Sequence, residues 1–271
     1  GEVMENFLMR GNSPLTPEQW QVVDTTVSQV AQQILVGRRV LDLYGPLGFG
    51  AYTVPLYNYP GGGEAPVRAK MVRQLPMTLL QQDFVITVKD LELMNAGQPF
   101  DIAPIAAAAT QIALAEDRLI LFGDAEEGVA GLLNVEGRKV MPLSDWAEEG
   151  AAVAEVGKAI AALIEGNFYG AYALILHPAR LSRLQRVVGR GGIMEVELLE
   201  KQVTGGIFTS PGIPLDKVLL VTAQPQYVDL AVGMDLAAGY LETVNLEHRF
   251  RLMETLALRV KQAGAICTLE G

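Results

Sequence analysis

The chain has 271 residues and a formal net charge of −10, which argues against nucleic-acid binding because that binding depends on Lys and Arg. Half of the residues are hydrophobic and only 19% are charged, so we expect an oligomer whose subunit contacts cover part of the surface. The single cysteine, the lack of a secretory leader pattern and the shortness of every apolar run predict a cytoplasmic protein without membrane association.

The first predicted element is a helix that begins at Pro17. Thr16-Pro17-Glu18-Gln19 has the pattern of a capping box, with Pro17 at the first helical position. Apolar residues then recur every three or four positions from Trp20 to Ile34, which predicts one covered face. Gly37 is expected to end this helix, because glycine readily adopts the left-handed conformation found there.

A long hairpin is predicted after this helix. Residues 52–88 contain short β-like runs on either side of the breaker cluster at residues 59–63, which reads as the hairpin tip. Two strands with such a tip bury little surface by themselves. We therefore predict an arm that packs on a neighbouring chain.

The rest of the chain alternates helices and strands. A second long helix is predicted over residues 104–122, and Ser144-Asp145 is expected to cap an Ala-rich helix that runs to Ile164. The remaining predicted elements are a basic helix over residues 180–188 and strands over residues 171–177, 218–222, 228–232 and 250–260. Glu254 interrupts the apolar alternation of the last strand, so it is either paired or at a subunit junction.

Residues that could carry chemistry are few. Residues 45–50 lack the Gly-Lys-Ser/Thr ending of a phosphate loop, and His177 and His248 have no second ligand at metal-binding spacing. Glu116-Asp117 is expected to form surface or junction ion pairs, and Cys267 is expected to be an inert core thiol. These patterns predict no catalytic site and no metal site.

Six separated segments carry a family resemblance, and their order and spacing span nearly the whole chain. They cover residues 13–16, 36–48, 115–123, 131–133, 172–178 and 250–270. Together they resemble the single-domain, linocin-like encapsulin shell proteins of family 1. That family shares the Hong Kong 97-type capsid fold of tailed phages.

The resemblance implies an α+β fold with a peripheral domain, an axial domain and an extended arm, the E-loop. The implied ranges are 1–51 for the amino-terminal helix and the entry to the peripheral domain, 52–85 for the E-loop arm, 86–144 for the peripheral domain with its spine helix, 145–222 for the axial domain, and 223–271 for the carboxy-terminal strands of the peripheral domain.

The function implied by the resemblance is structural, not enzymatic. The chain would self-assemble into an icosahedral nanocompartment in the cytoplasm and enclose a cargo enzyme, such as a ferritin-like iron-storage protein or a peroxidase, through the cargo's carboxy-terminal targeting peptide. A phage or prophage major capsid protein is the alternative, and the acidic balance disfavours it because such a shell packs nucleic acid. A hydrolase is a second alternative.

Two sets of residues are implied as sites. The groove for the cargo peptide would be formed by Ala31, Ile34, Leu35, Arg38 and Asp42. A loop that rings the five-fold pore would consist of Gly189, Arg190, Gly191 and Gly192. The alternatives from the residues alone are simple helix packing with a local ion pair for the first set and a flexible surface loop for the second.

Two further expectations concern the pore and the cofactor. Glu195 and Glu197 alternate in the sequence and are expected to face the pore channel together. Some family members stack a flavin on a Trp just after the arm, but Lys89 stands at that place in this chain. We therefore expect no cofactor.

Overall fold

The computed structural model describes residues 7–59 and 66–271, apart from the side chain of Arg190. Its α-helices are α1 Pro17–Ile34, α2 Gly37–Val40, α3 Val88–Asn95, α4 Ala103–Phe122, α5 Ala151–Glu165, α6 Pro178–Leu181 and α7 Glu195–Glu200. Its strands are β1 Leu43–Tyr44, β2 Thr53–Asn58, β3 Lys70–Pro76, β4 Thr78–Thr87, β5 Gly123–Asp124, β6 Val129–Ala130, β7 Lys139–Pro142, β8 Tyr172–Leu176, β9 Val187–Val188, β10 Ile193–Met194, β11 Gly206–Thr209, β12 Lys217–Thr222, β13 Val228–Val244, β14 Glu247–Val260 and β15 Ile266–Glu270.

A four-stranded sheet in the order β1-β13-β14-β4 forms one half of the fold. β13 and β14 are antiparallel and are joined by a tight turn at Asn245 and Leu246, which both have positive φ. The pairing of β13 with β14 shifts register between Val232 and Met234 and again between Met234 and Ala237. Such bulges bend a strand and turn its side chains out of the regular alternation.

Helices α1 and α4 pack on this sheet around a cluster of aromatic rings. Phe250 on β14 is fully buried, with its ring centroid 5.2 Å from that of Phe84 and 5.7 Å from that of Trp20. Aromatic side chains bury large apolar areas, so this cluster fixes α1 against β4 and β14. The predicted apolar stripe of α1 is the face that the cluster covers.

The second sheet has five strands in the order β11-β8-β12-β15-β7 and carries a separate core. Every residue of β8 is buried, and α5 contributes Val156 and Leu163 to the same apolar cluster. β7 and β15 come from the ranges predicted as peripheral domain, whereas β8, β11 and β12 come from the predicted axial range. The predicted domain bounds stay a prediction. The sheet combines strands from three of the predicted ranges, 86–144, 145–222 and 223–271.

The predicted arm is a two-stranded antiparallel ribbon of β2 and β3. Its base is anchored because Val54 and Leu75 are buried against Ala231 and Ala257. Most of β3 is exposed. Most of the tip predicted at residues 59–63 lies outside the described residues.

The start of α1 confirms the predicted capping box, whereas its end differs from the prediction. The Thr16 hydroxyl accepts the Gln19 N–H at 3.3 Å, and the Gln19 side chain accepts the Thr16 N–H at 2.8 Å. Gly37 does not end this helix; it is the first residue of α2. A Cβ on Gly37 would lie 2.3 Å from Cδ1 of Ile120, so close approach to α4 explains the glycine.

Two other predicted helices were wrong in extent. Helix α5 begins after Gly150, and Ser144 and Asp145 instead accept the N–H groups of Trp146 and Ala147 in a local turn. Only a short piece of the predicted basic helix, α6 and the 3₁₀ turn that follows it, is helical. Short polar side chains that bond to nearby backbone compete with helix formation, which accounts for the first difference.

Candidate functional site

A groove of about 500 Å³ lies between α1 and the bent part of β13. Its floor is apolar and each of its ends is charged. The residues that line it are Arg10, Asp24, Val27, Ser28, Ala31, Gln32, Leu35, Arg38, Asp235, Leu236, Ala237 and Ala238.

The floor follows from the helical period of α1. Val27, Ala31 and Leu35 are spaced four residues apart and therefore lie on one face of the helix. Leu236 and Ala238 lie opposite them on β13. Since no charge interrupts this strip, it can hold apolar side chains of a bound chain.

Arg38 closes one end of the groove through an ion-pair network. Its Nε donates to both carboxylate oxygens of Glu116 at 2.9 and 3.0 Å, and its Nη2 donates to Glu254 at 2.7 Å. Its Nη1 donates to Asp235 at 2.5 Å. One guanidinium therefore ties α2 to α4, β14 and β13.

The depth of burial shifts the protonation of this network. The side chains of Glu116 and Glu254 are 0% and 1% exposed, whereas that of Asp235 is 69% exposed. Burial and the charge of Glu116 raise the pKa of Glu254 to about 9, against the opposing effect of Arg38. Burial alone would lower the pKa of Arg38, but its three carboxylate partners raise it above its ordinary value.

Asp117 supports the same end of the groove from below. Its carboxylate accepts the N–H groups of Val36 and Gly37 at 2.9 Å each, which satisfies free donors at the start of α2. Burial raises the pKa of Asp117 to about 6, although these hydrogen bonds act in the opposite direction.

Surface or junction ion pairs were expected at Glu116-Asp117. Glu116 does form an ion pair, with Arg38, but both carboxylates are buried inside the subunit, so the surface position was wrong. Of the two alternatives for Glu254, a paired side chain or a subunit junction, the structure confirms the pairing.

Arg10 spans the opposite end of the groove. Its guanidinium donates to both carboxylate oxygens of Asp24 on α1 at 2.7 and 2.8 Å, and its Nε donates to the Ala238 carbonyl on β13 at 2.9 Å. It also lies over the Trp20 ring, 4.3 Å from the centroid. This pair is partly solvent-exposed, so it is weaker and more easily exchanged than the buried network around Arg38.

Three of the five predicted groove residues line this groove, and two do not. Ala31, Leu35 and Arg38 line it. Ile34 is half-buried and packs in the small apolar cluster beside the groove, and Asp42 is exposed beyond α2. A role in peptide binding stays a prediction for all five.

Sequence reasoning missed the other lining residues, including several on α1 itself. Arg10 and Asp24 could have been found as a possible bidentate pair flanking the capping box. The contribution of residues 235–238 had no local signal, since it depends on the bend of β13.

The glycine-rich loop joins β9 to β10, which pair as a short hairpin. Gly189–Gly191 forms one 3₁₀ turn, and Gly189 and Gly192 have φ values of 63° and 72° that favour glycine. The side chain of Arg190 lies outside the described residues. That residues 189–192 ring a pore stays a prediction.

Glu195 does not face a channel with Glu197, so that expectation was wrong. Its carboxylate is fully buried, accepts the Arg186 Nε at 2.7 Å and accepts the Gly150 N–H at 3.2 Å. Residues 195–200 form α7, and Glu197 is exposed on that helix. A helical period places the two side chains in different surroundings.

The other chemistry-bearing residues occupy structural positions. Cys267 is buried, and this burial raises the pKa of its thiol to about 11, which confirms the expected inert thiol. His177 accepts the Ala179 N–H at the start of α6, and burial lowers the pKa of His248. Lys89 is exposed in the first turn of α3.

Over residues 7–59 and 66–271 we find no cluster of three metal-ligating side chains. No described helix has the length and apolarity needed to cross a membrane.

Comparison with known proteins decides the family. The sequence profile described as "Encapsulating protein for peroxidase" matches residues 4–257. The chain is 36% identical to the type 1 encapsulin shell protein EncA of Myxococcus xanthus, over 99% of this chain and 98% of that protein. The chain belongs to the encapsulin shell protein family. This confirms the resemblance, and since these relatives are named shell proteins it also confirms a structural rather than an enzymatic chain.

The fold of this chain also matches the folds of solved structures. A virus-like particle from Pyrococcus furiosus superposes with a TM-score of 0.78 at 23% identity, over 93% of this chain and 99% of that chain. The capsid of Myoviridae phage XM1 superposes with a TM-score of 0.63 at 12% identity, over 86% and 90%. The expected Hong Kong 97-type fold is confirmed. The sequence relatives favour the encapsulin shell over the phage capsid alternative.

Proposed function

We propose that copies of this chain form a closed icosahedral shell in the cytoplasm and that a cargo enzyme binds inside through its carboxy-terminal peptide. Family membership supports the shell. Two relatives are named as fusions of an encapsulin shell, one with a diheme cytochrome in Kuenenia stuttgartiensis and one with a ferritin-like part in Pyrococcus furiosus. By analogy, a ferritin-like iron-storage protein or a peroxidase is the cargo proposed for this chain.

The groove between α1 and β13 is the observation that carries the cargo proposal. At about 1.5 Å per residue, the stretch from Asp24 on α1 to Leu35, the residue that follows α1, is roughly 16 Å long, which matches about five residues of extended peptide. Each large apolar side chain buried on the floor contributes about 1.5–3 kcal/mol. The charged pairs at Arg10 and Arg38 would fix the register of the peptide between them.

Exposed apolar side chains support assembly. Tyr52 is 88% exposed, and Met71 and Val72 on β3 of the arm are each more than half exposed. Contacts with further copies would cover these residues, as the family's arm would require. Light scattering on the purified protein tests assembly: a particle many times the 29.2 kDa subunit is expected, and a stable monomer or dimer would refute the shell.

The cargo proposal is tested by filling the groove. Ala31 is 5% exposed on the floor, so Ala31→Leu places a larger side chain where the peptide would lie. Gln33→Leu is the matched control, because Gln33 is exposed on the same helix and does not line the groove. The probe is a co-expressed fluorescent protein that carries the carboxy-terminal tail of the ferritin-like or peroxidase protein encoded nearest the shell gene.

We expect the Ala31→Leu shell to capture about 10- to 100-fold less of this probe, since one buried apolar side chain of the peptide loses its place. The Gln33→Leu shell is expected to load like wild type. Equal loading of both shells, with assembly intact, would show that the tail does not bind in this groove.

The proposed shell also has a pore loop and no bound flavin. We infer that residues 189–192 ring the five-fold pore, where flexible glycines and repeated Arg190 side chains would favour anions. We also infer that the shell holds no flavin, because Lys89 replaces the ring on which a flavin would stack. An absorption spectrum of purified empty shells tests the second point, and a flavin band would refute it.

A further inference from the structure

The network at the Arg38 end of the groove holds more acid than base. Three carboxylates, those of Glu116, Asp235 and Glu254, bond to a single guanidinium. If all three were ionised, the four side chains would carry a net charge of −2. Two of these carboxylates are fully buried, and an uncompensated buried charge is very unfavourable.

The two buried carboxylates differ in their hydrogen bonds, and this difference indicates which of them is protonated. Both oxygens of Glu116 accept from Arg38, but only Oε2 of Glu254 does. Among the described residues, Oε1 of Glu254 is buried and has no hydrogen-bond partner. A buried carboxylate oxygen that accepts no hydrogen bond is poorly stabilised when ionised, so Glu254 is the carboxylate at which a proton relieves the excess charge most directly.

The charged groups that act on Glu254 come from three packed elements. Glu116 belongs to α4, Arg38 to α2 and Asp235 to β13, while Leu80 faces Glu254 from β4. Burial and the two other carboxylates favour the neutral form, and only Arg38 favours the ionised form. Within the described part of the chain, Arg38 is the cation that bonds to these carboxylates, and the neighbouring Arg39 is exposed and donates to the Leu35 carbonyl instead.

We propose that Glu254 carries a proton at neutral pH and that this proton locks Arg38 into the end wall of the groove. When hydroxide removes the proton as water, Glu116 and Glu254 become two adjacent buried anions and repel one another. The repulsion separates α4 from β14 and displaces α2, so the end wall opens. The consequence for cargo rests on the proposed function: the tail is held at neutral pH and released in alkali.

The proton itself is tested on empty shells. The infrared spectrum at about pH 7 is expected to contain the carbonyl band of a protonated carboxyl, which Glu254→Gln removes. Glu242→Gln is the matched control because Glu242 is exposed on β13, and it should leave the band in place. A wild-type spectrum without the band, or a band that survives Glu254→Gln, would overturn the assignment of the proton to Glu254.

Opening of the wall is measured by hydrogen exchange of residues 37–41 at about pH 7 and about pH 10, corrected for the intrinsic rate. Wild type and Glu242→Gln should lose protection at least tenfold, and Glu254→Gln should change little, because it cannot ionise. Equal loss of protection in all three shells would show that another group drives any opening and would overturn the lock.

The link to cargo has its own readout. The fluorescence anisotropy of the enclosed reporter should fall in alkali in wild-type shells, since a released reporter tumbles freely inside, and should stay constant in Glu254→Gln shells. If the infrared and exchange results hold but the anisotropy of the wild type does not change, the proton lock stands and the groove is not the site of cargo binding.

Discussion

Removal of the Asp229 carboxylate is expected to destabilise the subunit strongly. Asp229 on β13 lies directly opposite Arg259 on β14, and the two side chains are 4% and 5% exposed. Arg259 donates to both carboxylate oxygens at 2.6 and 2.7 Å and stacks 3.9 Å from the centroid of the Tyr44 ring. Lys261 donates to the same carboxylate at 2.7 Å.

Asp229→Ala leaves the Arg259 guanidinium buried without a counter-charge, which costs about 3–5 kcal/mol. That is a large part of the roughly 5–15 kcal/mol that stabilises a folded domain. The fold provides a matched control in Asp83 and Arg251, a bidentate pair between β4 and β14 at 2.6 and 2.9 Å. Those side chains are 50% and 31% exposed, so Asp83→Ala should cost at most about 1 kcal/mol.

The assay is the rate of subunit unfolding in guanidinium, because a shell that dissociates irreversibly has no equilibrium midpoint. A third variant, Asp229→Leu with Arg259→Met, should recover part of the loss, since it removes the unpaired buried guanidinium and leaves only Lys261 without its carboxylate partner. If Asp229→Ala unfolded no faster than Asp83→Ala, burial would not determine the strength of these pairs and the reasoning would fail.

Four further outcomes are expected. The folded-state pKa of Glu254, about 9, lies above its ordinary value of 4.5, so the folded subunit keeps a proton that the unfolded chain loses. Stability should therefore fall as pH rises from about 4.5 to about 9, and Glu254→Gln should flatten this slope in scanning calorimetry. Glu195→Gln should lower the melting temperature without changing solute passage, whereas the exposed Glu197→Gln should leave the melting temperature unchanged. Phe250→Ala should speed subunit unfolding in guanidinium, because emptying the aromatic cluster costs about 3–5 kcal/mol of stability. Deletion of residues 59–65 should alter particle size in electron micrographs before it lowers the yield of folded subunits, since the buried apolar contacts of the described part of the arm lie at its base.

Local patterns were sufficient for the elements whose signals lie within one turn of chain. The Thr16 capping box and the stripe from Trp20 to Ile34 are set by residues three or four positions apart, and both were predicted correctly. The buried strand β8 was likewise visible as a short apolar run. In each case the signal lies in the residue types of one short segment, although the strands that pair with β8 come from residues 206–209 and 217–222.

Features that depend on distant partners could not be predicted. Helix α2 begins at Gly37 because the carboxylate of Asp117, some eighty positions away, accepts the first N–H groups. The sequence placed Glu116 and Asp117 next to Arg118 and so indicated a surface pair. Only the packing of α4 against α2 reveals that Arg38 is the partner.

One wall of the groove, α1, could be predicted from local spacing, whereas the other wall, the bent part of β13, could not. The bent part of β13 is the wall that gives the groove its shape. A strand was predicted only over residues 228–232, because the regular pattern breaks just beyond Val232. β13 in fact continues to Val244, and the break marks the register shifts that bend it. The bend places Asp235 against Arg38 and Leu236 opposite α1. A regular strand would pair its whole length with β14 and would leave no cleft beside α1, so the irregularity that hid most of β13 in the sequence is what forms the proposed binding site.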